Sequence, residues 1–191
     1  MLYLIRHAMD DESYVGSWSD VEILESEKEK VKKLGEYIKD NLNISRIYSS
    51  DIRRAYQTSE IIAKELNMEV HIDKNLREQN KGTLTGKLKS TLSKKDKELL
   101  ENQQIDTLFP EGETLNDLYN RIKSYLKEIK KYEDNSLIVT HRGVINMIYY
   151  ILNDIPLDMD KKRFDVDHLS IHELDINNKV IRRIKWLKEL Y

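Results

Sequence analysis

Three short polar stretches carry the residues most able to do chemistry: Arg6-His7-Ala8, Ser49-Ser50-Asp51-Ile52-Arg53-Arg54, and Thr140-His141-Arg142-Gly143. Each follows a segment that reads as a β-strand. If the three strand ends share one rim, two imidazoles and at least two guanidinium groups converge there. Such a cluster is costly without an anion, because like charges depress each other's protonation. A phosphate group removes that cost, since guanidinium forks match its oxygens. A helix starting near Arg142 would aim free N–H groups at the same point. Two histidines permit a division of labour: one attacks phosphorus through a ring nitrogen while the backbone holds the other nitrogen. The second donates to the equatorial oxygens. Leu76-Arg77-Glu78 offers a carboxyl group to protonate the leaving oxygen and later to activate water.

The elements that must position these groups follow from apolar spacing. Leu2 to Ile5 is a short apolar run, expected as a buried strand. Val31, Leu34, Ile38 and Leu42 recur at helical spacing. Arg46 to Ser49 reads as a second strand, followed by a helix capped by Ser50 or Asp51 with Ala55, Ser59, Ile62 and Leu66 facing inward. Val70 to Ile72 is a third strand. Residues 73 to 111 show little periodicity beyond a helix near Lys94 to Glu101. Leu115, Leu118, Ile122, Tyr125 and Ile129 predict a helix entered through Pro110-Glu111-Gly112-Glu113-Thr114. Ser136 to Thr140 is a fourth strand, and Val144 to Leu152 a helix. Leu169 to Leu174 and Val180 to Trp186 predict a hairpin turned near Asn177-Asn178. Strand and helix alternate, which predicts an α/β fold: a three-layer αβα sandwich with a mainly parallel central sheet. Ligands on such sheets gather beyond the carboxyl ends of the strands.

The Arg-His pair, Ser-Ser-Asp-Ile-x-Arg-Ala-x-Gln-Thr, Leu-Arg-Glu, Pro-Glu-Gly-Glu-Thr and Val-Thr-His-Arg-Gly-Val occur in the order found in the histidine phosphatase superfamily, which includes the cofactor-dependent phosphoglycerate mutases. The chain resembles that family from about Leu2 to Leu152, and its terminal hairpin is similar to the family's last strands. The resemblance implies a phosphoglycerate mutase-like fold in which His7 is phosphorylated. Arg6, Arg54 and His141 would hold the phosphoryl oxygens, Glu78 would be the proton donor, and neither metal nor cofactor would be needed. There are departures. The family's Arg-His-Gly is Arg-His-Ala here, and Asp10 and Ser13 lie near positions usually Thr/Ser and Asn. Ser26 stands where a glycine often begins the first helix, and Arg142 where glycine usually follows the second histidine. An aspartate facing phosphate is unfavourable, so Asp10 is expected to point away. Arg142 is read either as an added substrate contact or as a solvated helix start.

Composition narrows the class. The 191 residues suit one domain over 1–191, with a lid or specificity segment at 79–112. Balanced charge, 32 basic against 34 acidic residues, argues against a nucleic-acid binder. The absence of cysteine excludes thiolate chemistry and disulfides. Four apolar residues before Arg6 fall short of a signal peptide, and no run approaches a membrane span, so a cytoplasmic protein is expected. His168 and His172 read as strand residues rather than metal ligands. Lys81, Lys87 and Lys89 read as solvated loop charges, and Tyr149-Tyr150 as core and surface of one helix. The expected function is metal-independent hydrolysis of a small phosphorylated metabolite. Alternatives are a phosphoglycerate mutase, which usually carries a longer, more basic insertion after the acid, a non-catalytic phospho-ligand binder, and a protein phosphohistidine phosphatase. Sugar phosphates, phosphoglycerates, nucleotides and ribazole phosphate all stay open as substrates, as does the oligomeric state.

Overall fold

A computed structural model describes residues 1–129, 135–160 and 163–186. Strands β1 (Leu2–Arg6), β2 (Arg46–Ser49), β3 (Val70–Ile72), β4 (Ser136–Thr140), β5 (Ile171–Asp175) and β6 (Val180–Ile184) form one sheet in the order β3-β2-β4-β1-β5-β6. The first four are parallel; β5 runs antiparallel to β1, and β6 antiparallel to β5. The register aligns Arg6 with Thr140 and Ser49 with Val139, so the carboxyl ends of β1, β2 and β4 form one rim.

Helices α1 (Lys28–Asn41) and α2 (Arg53–Leu66) cover one face, and α4 (Leu115–Glu128) and α5 (Arg142–Leu152) the other. The strands divide their side chains by the two-residue period. Leu4 and Ile138 join the α4–α5 core, whereas Ile5, Leu137 and Val139 join the α1–α2 core. Each such fully buried aliphatic side chain contributes roughly 1.5–3 kcal/mol. The sandwich expected from alternation is therefore present, with the mainly parallel sheet closed by an antiparallel hairpin.

Helix α2 differs from expectation at its start. Ile52 is its N-cap and supplies no side-chain hydrogen bond. Both expected caps are engaged elsewhere: Ser50 Oγ accepts from Ile52 N and meets His141 Nε2, and the Asp51 carboxylate holds the Arg77 guanidinium. Helix α4, in contrast, opens with a reciprocal capping box between Thr114 and Asp117. In α5 the order expected of the tyrosine pair is reversed: Tyr150, not Tyr149, is the buried one.

Between β3 and α4 the chain makes an excursion containing the short helix α3 (Lys94–Glu101). A small separate core of Val15, Leu84, Leu92 and Phe109 orders it against the loop after β1. Gly86 N donates to Val15 O and Val15 N to Lys87 O, tying the two segments together. Both segments thereby overhang the rim.

Candidate active site

β1 delivers Arg6 and His7 to the rim, α2 delivers Arg54 from its first turn, and the β4–α5 junction delivers His141. The rings of His7 and His141 lie 5.1 Å apart between centroids, although 134 positions separate them in sequence. His7 is held in one tautomer. Its Nδ1 donates to Ala8 O at 2.7 Å, and a carbonyl can only accept. Nε2 therefore carries the lone pair, which accepts from Arg54 Nε at 3.1 Å. Burial first, then Arg54, His141 and Arg6, hold the His7 pKa well below the usual imidazole range, so the ring is neutral. His141 is lowered in the same way by burial and the two arginines. Its Nε2 meets Ser50 Oγ at 2.9 Å, and its buried Nδ1 has no hydrogen-bond partner among the described residues.

The guanidinium groups are fixed from behind. Arg54 Nη2 donates to Ser17 O at 2.8 Å, and Ser17 holds a left-handed backbone (φ 50°) that turns this carbonyl toward it. Arg53, its neighbour, faces outward and pairs with Glu22. Arg6 Nη1 donates to Val166 O at 3.0 Å and Nη2 to His168 Nε2 at 2.6 Å. Burial lowers the Arg6 pKa to about 10, with Arg142 pushing in the same direction. Arg6 remains charged at neutral pH.

Glu78 lines the same cavity, which has a volume of about 360 Å³. Its Oε2 accepts from Gly143 N at 3.0 Å and its Oε1 from Gln79 N at 2.9 Å. Trp18 Nε1 donates to the Glu78 carbonyl at 2.7 Å, while Arg77 stacks on the Trp18 ring. Gly143 has to be glycine for this arrangement, because a Cβ there would stand 2.0 Å from Glu78 Oε1. Arg142, the first residue of α5, also lines the cavity, and its side chain makes no hydrogen bond or ion pair among the described residues. The expected site residues thus converge: Arg6, His7, Arg54, Glu78 and Arg142 line one cavity, and His141 packs beside His7.

Two expectations need correction. Asp10 points in, not away: it is buried, lines the cavity, and places Oδ2 3.5 Å from Arg54 Nε. The isolated bridge Asp10–Ile23 fixes its backbone, and Arg54 offers the charge that compensates it. Lys81 and Lys89 are cavity-lining rather than merely solvated. His168, expected only as a strand residue, lies instead in the turn before β5 and reaches the site, a role that sequence reasoning missed. Its ring stands 5.5 Å from that of His7, and its pKa is lowered to about 3 by burial, then by Arg6 and Arg142. The signal that could have found it is topological: β5 runs antiparallel to β1, so the residues entering β5 lie beside the exit from β1.

Ligand atoms of His7, Asp10 and His168 lie within 4.8 Å of one another, a spacing that can hold a metal ion. Both imidazoles, however, already accept from guanidinium groups. A cation would have to displace two positive charges. The arrangement fits an anion.

These buried neutral histidines have a consequence for stability. The unfolded chain binds protons below the ordinary imidazole pKa of about 6.5, whereas folded His7 and His141 do not, so stability falls with acidification. Each contributes a loss of about 1.4 kcal/mol by pH 5.5 relative to pH 7.5. His172, lowered to about 4 chiefly by burial, acts in the same direction. Urea unfolding at the two pH values should show a loss of at least about 3 kcal/mol, with His168 adding in the same direction as His172; equal stability would mean that these rings are protonated in the folded protein.

Comparison with known proteins places this geometry. The fold is shared with a mycobacterial glucosyl-3-phosphoglycerate phosphatase of known structure, at a TM-score of 0.75 with 22% identity over 97% of both chains. Residues 2–188 match the histidine phosphatase superfamily (branch 1), and the chain belongs to that family. It is 30% identical over 158 residues to phosphoglycerate mutase-like protein 4 of Arabidopsis thaliana, covering 78% of this chain and 69% of that one. It is 29% identical over 186 residues to a Hydrogenobacter thermophilus protein named "Putative phosphoserine phosphatase 2", covering 93% and 90%. Among the described residues no helix is long and apolar enough to cross a membrane.

Proposed function

We propose that the protein is a phosphomonoester hydrolase that acts on a small phosphorylated metabolite through a phosphohistidine at His7. The observation that carries this reading is the His7 imidazole itself, neutral, with Nδ1 pinned to a carbonyl and the Nε2 lone pair directed among guanidinium groups. A phosphoryl dianion entering the cavity draws Arg54 from Nε2 onto its own oxygens and frees the lone pair. Nε2 then forms the N–P bond as the P–O bond to the leaving group breaks. Arg6, Arg54 and His141 carry the charge on the equatorial oxygens, His141 through the buried ring nitrogen that lacks a partner among the described residues. Glu78 gives its proton to the leaving oxygen. In the second half-reaction Glu78 takes a proton from water, which attacks phosphorus and releases His7. No metal takes part in this scheme. Arg142 adds a contact to the phosphate from the start of α5.

A phosphoglycerate mutase is the second reading, favoured by the same unengaged Arg142, which could hold a substrate carboxylate. A panel of phosphomonoesters, with 2- and 3-phosphoglycerate interconversion assayed in the presence of bisphosphoglycerate, separates the two. Release of inorganic phosphate without interconversion is expected. Fast interconversion would establish the mutase, and phosphate binding with no turnover on any substrate would establish a binding module.

The role of Glu78 has its own test through its neighbour. Gly143→Ala must push the carboxylate out of place. It should lower kcat on an alkyl phosphate by about 10²–10⁴, with much less effect on an aryl phosphate, whose leaving group needs little protonation. Equal losses on both would remove Glu78 as the proton donor.

A further inference from the structure

Asp10 stands where an anion is least welcome. Its carboxylate is buried in the cavity, and one oxygen lies within 4.8 Å of an imidazole nitrogen of His7. A phosphorus about 3–3.5 Å from the attacking nitrogen brings its own anionic oxygens into that same space. The nearest cation, Arg54 Nε, is 3.5 Å from Asp10 Oδ2 and is committed to His7 Nε2 at 3.1 Å. Once Arg54 turns to the phosphoryl group, that compensation weakens. The bridge to Ile23 fixes the Asp10 backbone, and the carboxylate is largely buried there, so it meets the incoming oxygens at close range.

We propose that Asp10 takes up one proton from solvent as the phosphoryl group binds, and then donates a hydrogen bond to a phosphoryl oxygen. The proton leaves again when phosphate is released. This rests on the cavity being the phosphoryl site, as argued above. A shared proton turns two opposed oxyanions into a short, charge-assisted hydrogen bond. Asp10 then does what a hydroxyl side chain would do at its place, but only in the protonated form.

The charged and titratable groups around Asp10 are few. Arg6 and His7 face it from β1, Arg54 from α2, Glu12 from its own loop, and His168 from the loop entering β5. Burial is the leading influence and already raises its pKa above the usual aspartate value, with Glu12 adding to the rise and Arg54 and Arg6 opposing it. An incoming dianion acts in the same direction as burial. His7, His168, the neighbouring His141 and the Glu78 carboxyl in the same cavity are the competing proton acceptors, and the test must separate them from Asp10.

Sulfate is a suitable probe, because it stays dianionic across the working range and brings no proton of its own. Titration calorimetry in buffers of different ionisation enthalpy, from pH 6 to 8.5, counts protons taken up per sulfate bound. The expected result is uptake approaching one proton at the alkaline end, with affinity falling toward tenfold per pH unit there. Asp10→Asn, which copies the protonated shape, should remove this uptake and bind sulfate at least tenfold more tightly at pH 8. Affinity in the unmodified protein that is flat with pH would overturn the proposal without any variant. Undiminished uptake in Asp10→Asn would place the proton on a histidine or on Glu78 and overturn it as well. Failure of both proteins to bind sulfate would refute the phosphoryl site itself, and with it this role.

Discussion

Replacing His7 with alanine is expected to lower kcat by at least about 10⁴-fold, because nucleophile and covalent intermediate disappear together. The substitution leaves the anion-binding groups in place. Arg6 stays tied to Val166 O and His168, and Arg54 to Ser17 O. Inorganic phosphate should therefore still bind to the His7→Ala protein, and thermal unfolding should show that it folds. Loss of turnover with phosphate binding retained separates a missing nucleophile from a collapsed site. Activity near that of the unmodified protein would mean that another group, or water directly, attacks phosphorus.

The second large effect is expected at Arg54. Its guanidinium touches the His7 lone pair, holds Ser17 O and compensates Asp10. Arg54→Ala removes a charged donor from the transition state, a loss of about 10²–10³ in kcat, and leaves Asp10 facing the phosphoryl group unbalanced. Arg54→Lys restores the charge but not the fork, so it cannot reach Ser17 O and the phosphoryl oxygens together. It should recover only part of the loss. Steady-state kinetics on both variants, with unfolding measured in parallel, checks this; kcat/KM within threefold of the unmodified value for Arg54→Ala would take Arg54 out of the site.

Much of the rim was legible in the sequence because parallel strands place their carboxyl ends on one side. Once Leu2–Arg6, Arg46–Ser49 and Ser136–Thr140 are read as such strands, the residues following each must meet. Residue types then point to the proposed chemistry: imidazole, guanidinium and carboxyl groups in one cavity suited to an anion. The parts that stayed hidden depend on contacts between distant segments. Asp10 turns inward because its loop pairs with Ile23, and no local pattern signals an isolated bridge. His168 reaches Arg6 only because the hairpin adds to the sheet beside β1, a choice of edge that alternation does not specify. The excursion at 79–112 owes its order to Val15, Leu84, Leu92 and Phe109. Their spacing follows neither a helical nor a strand period, so they look like scattered loop residues until the chain is folded. Ser50 and Asp51 show the opposite failure. Both look like helix caps, yet tertiary partners claim them.

The proposed mechanism contains one unfavourable charge, the buried Asp10 carboxylate. On the proposal made for it, Asp10 makes substrate capture sensitive to protons, whereas the neutral histidines make the fold itself lose stability in acid. The two effects run in opposite directions with pH, since capture improves as stability falls. Optimal turnover should therefore be bounded on the alkaline side by Asp10 and on the acid side by unfolding.

Rapid acid-free quenching during turnover of a labelled phosphomonoester tests the central claim most directly. The protein should carry a phosphoryl group that survives alkali and is lost in acid, in an amount approaching one per chain when hydrolysis of the intermediate is slow. Peptide mass spectrometry should assign it to His7. Steady turnover with no protein-bound phosphate under conditions that trap intermediates, or a phosphoryl group on any other residue, would contradict the account.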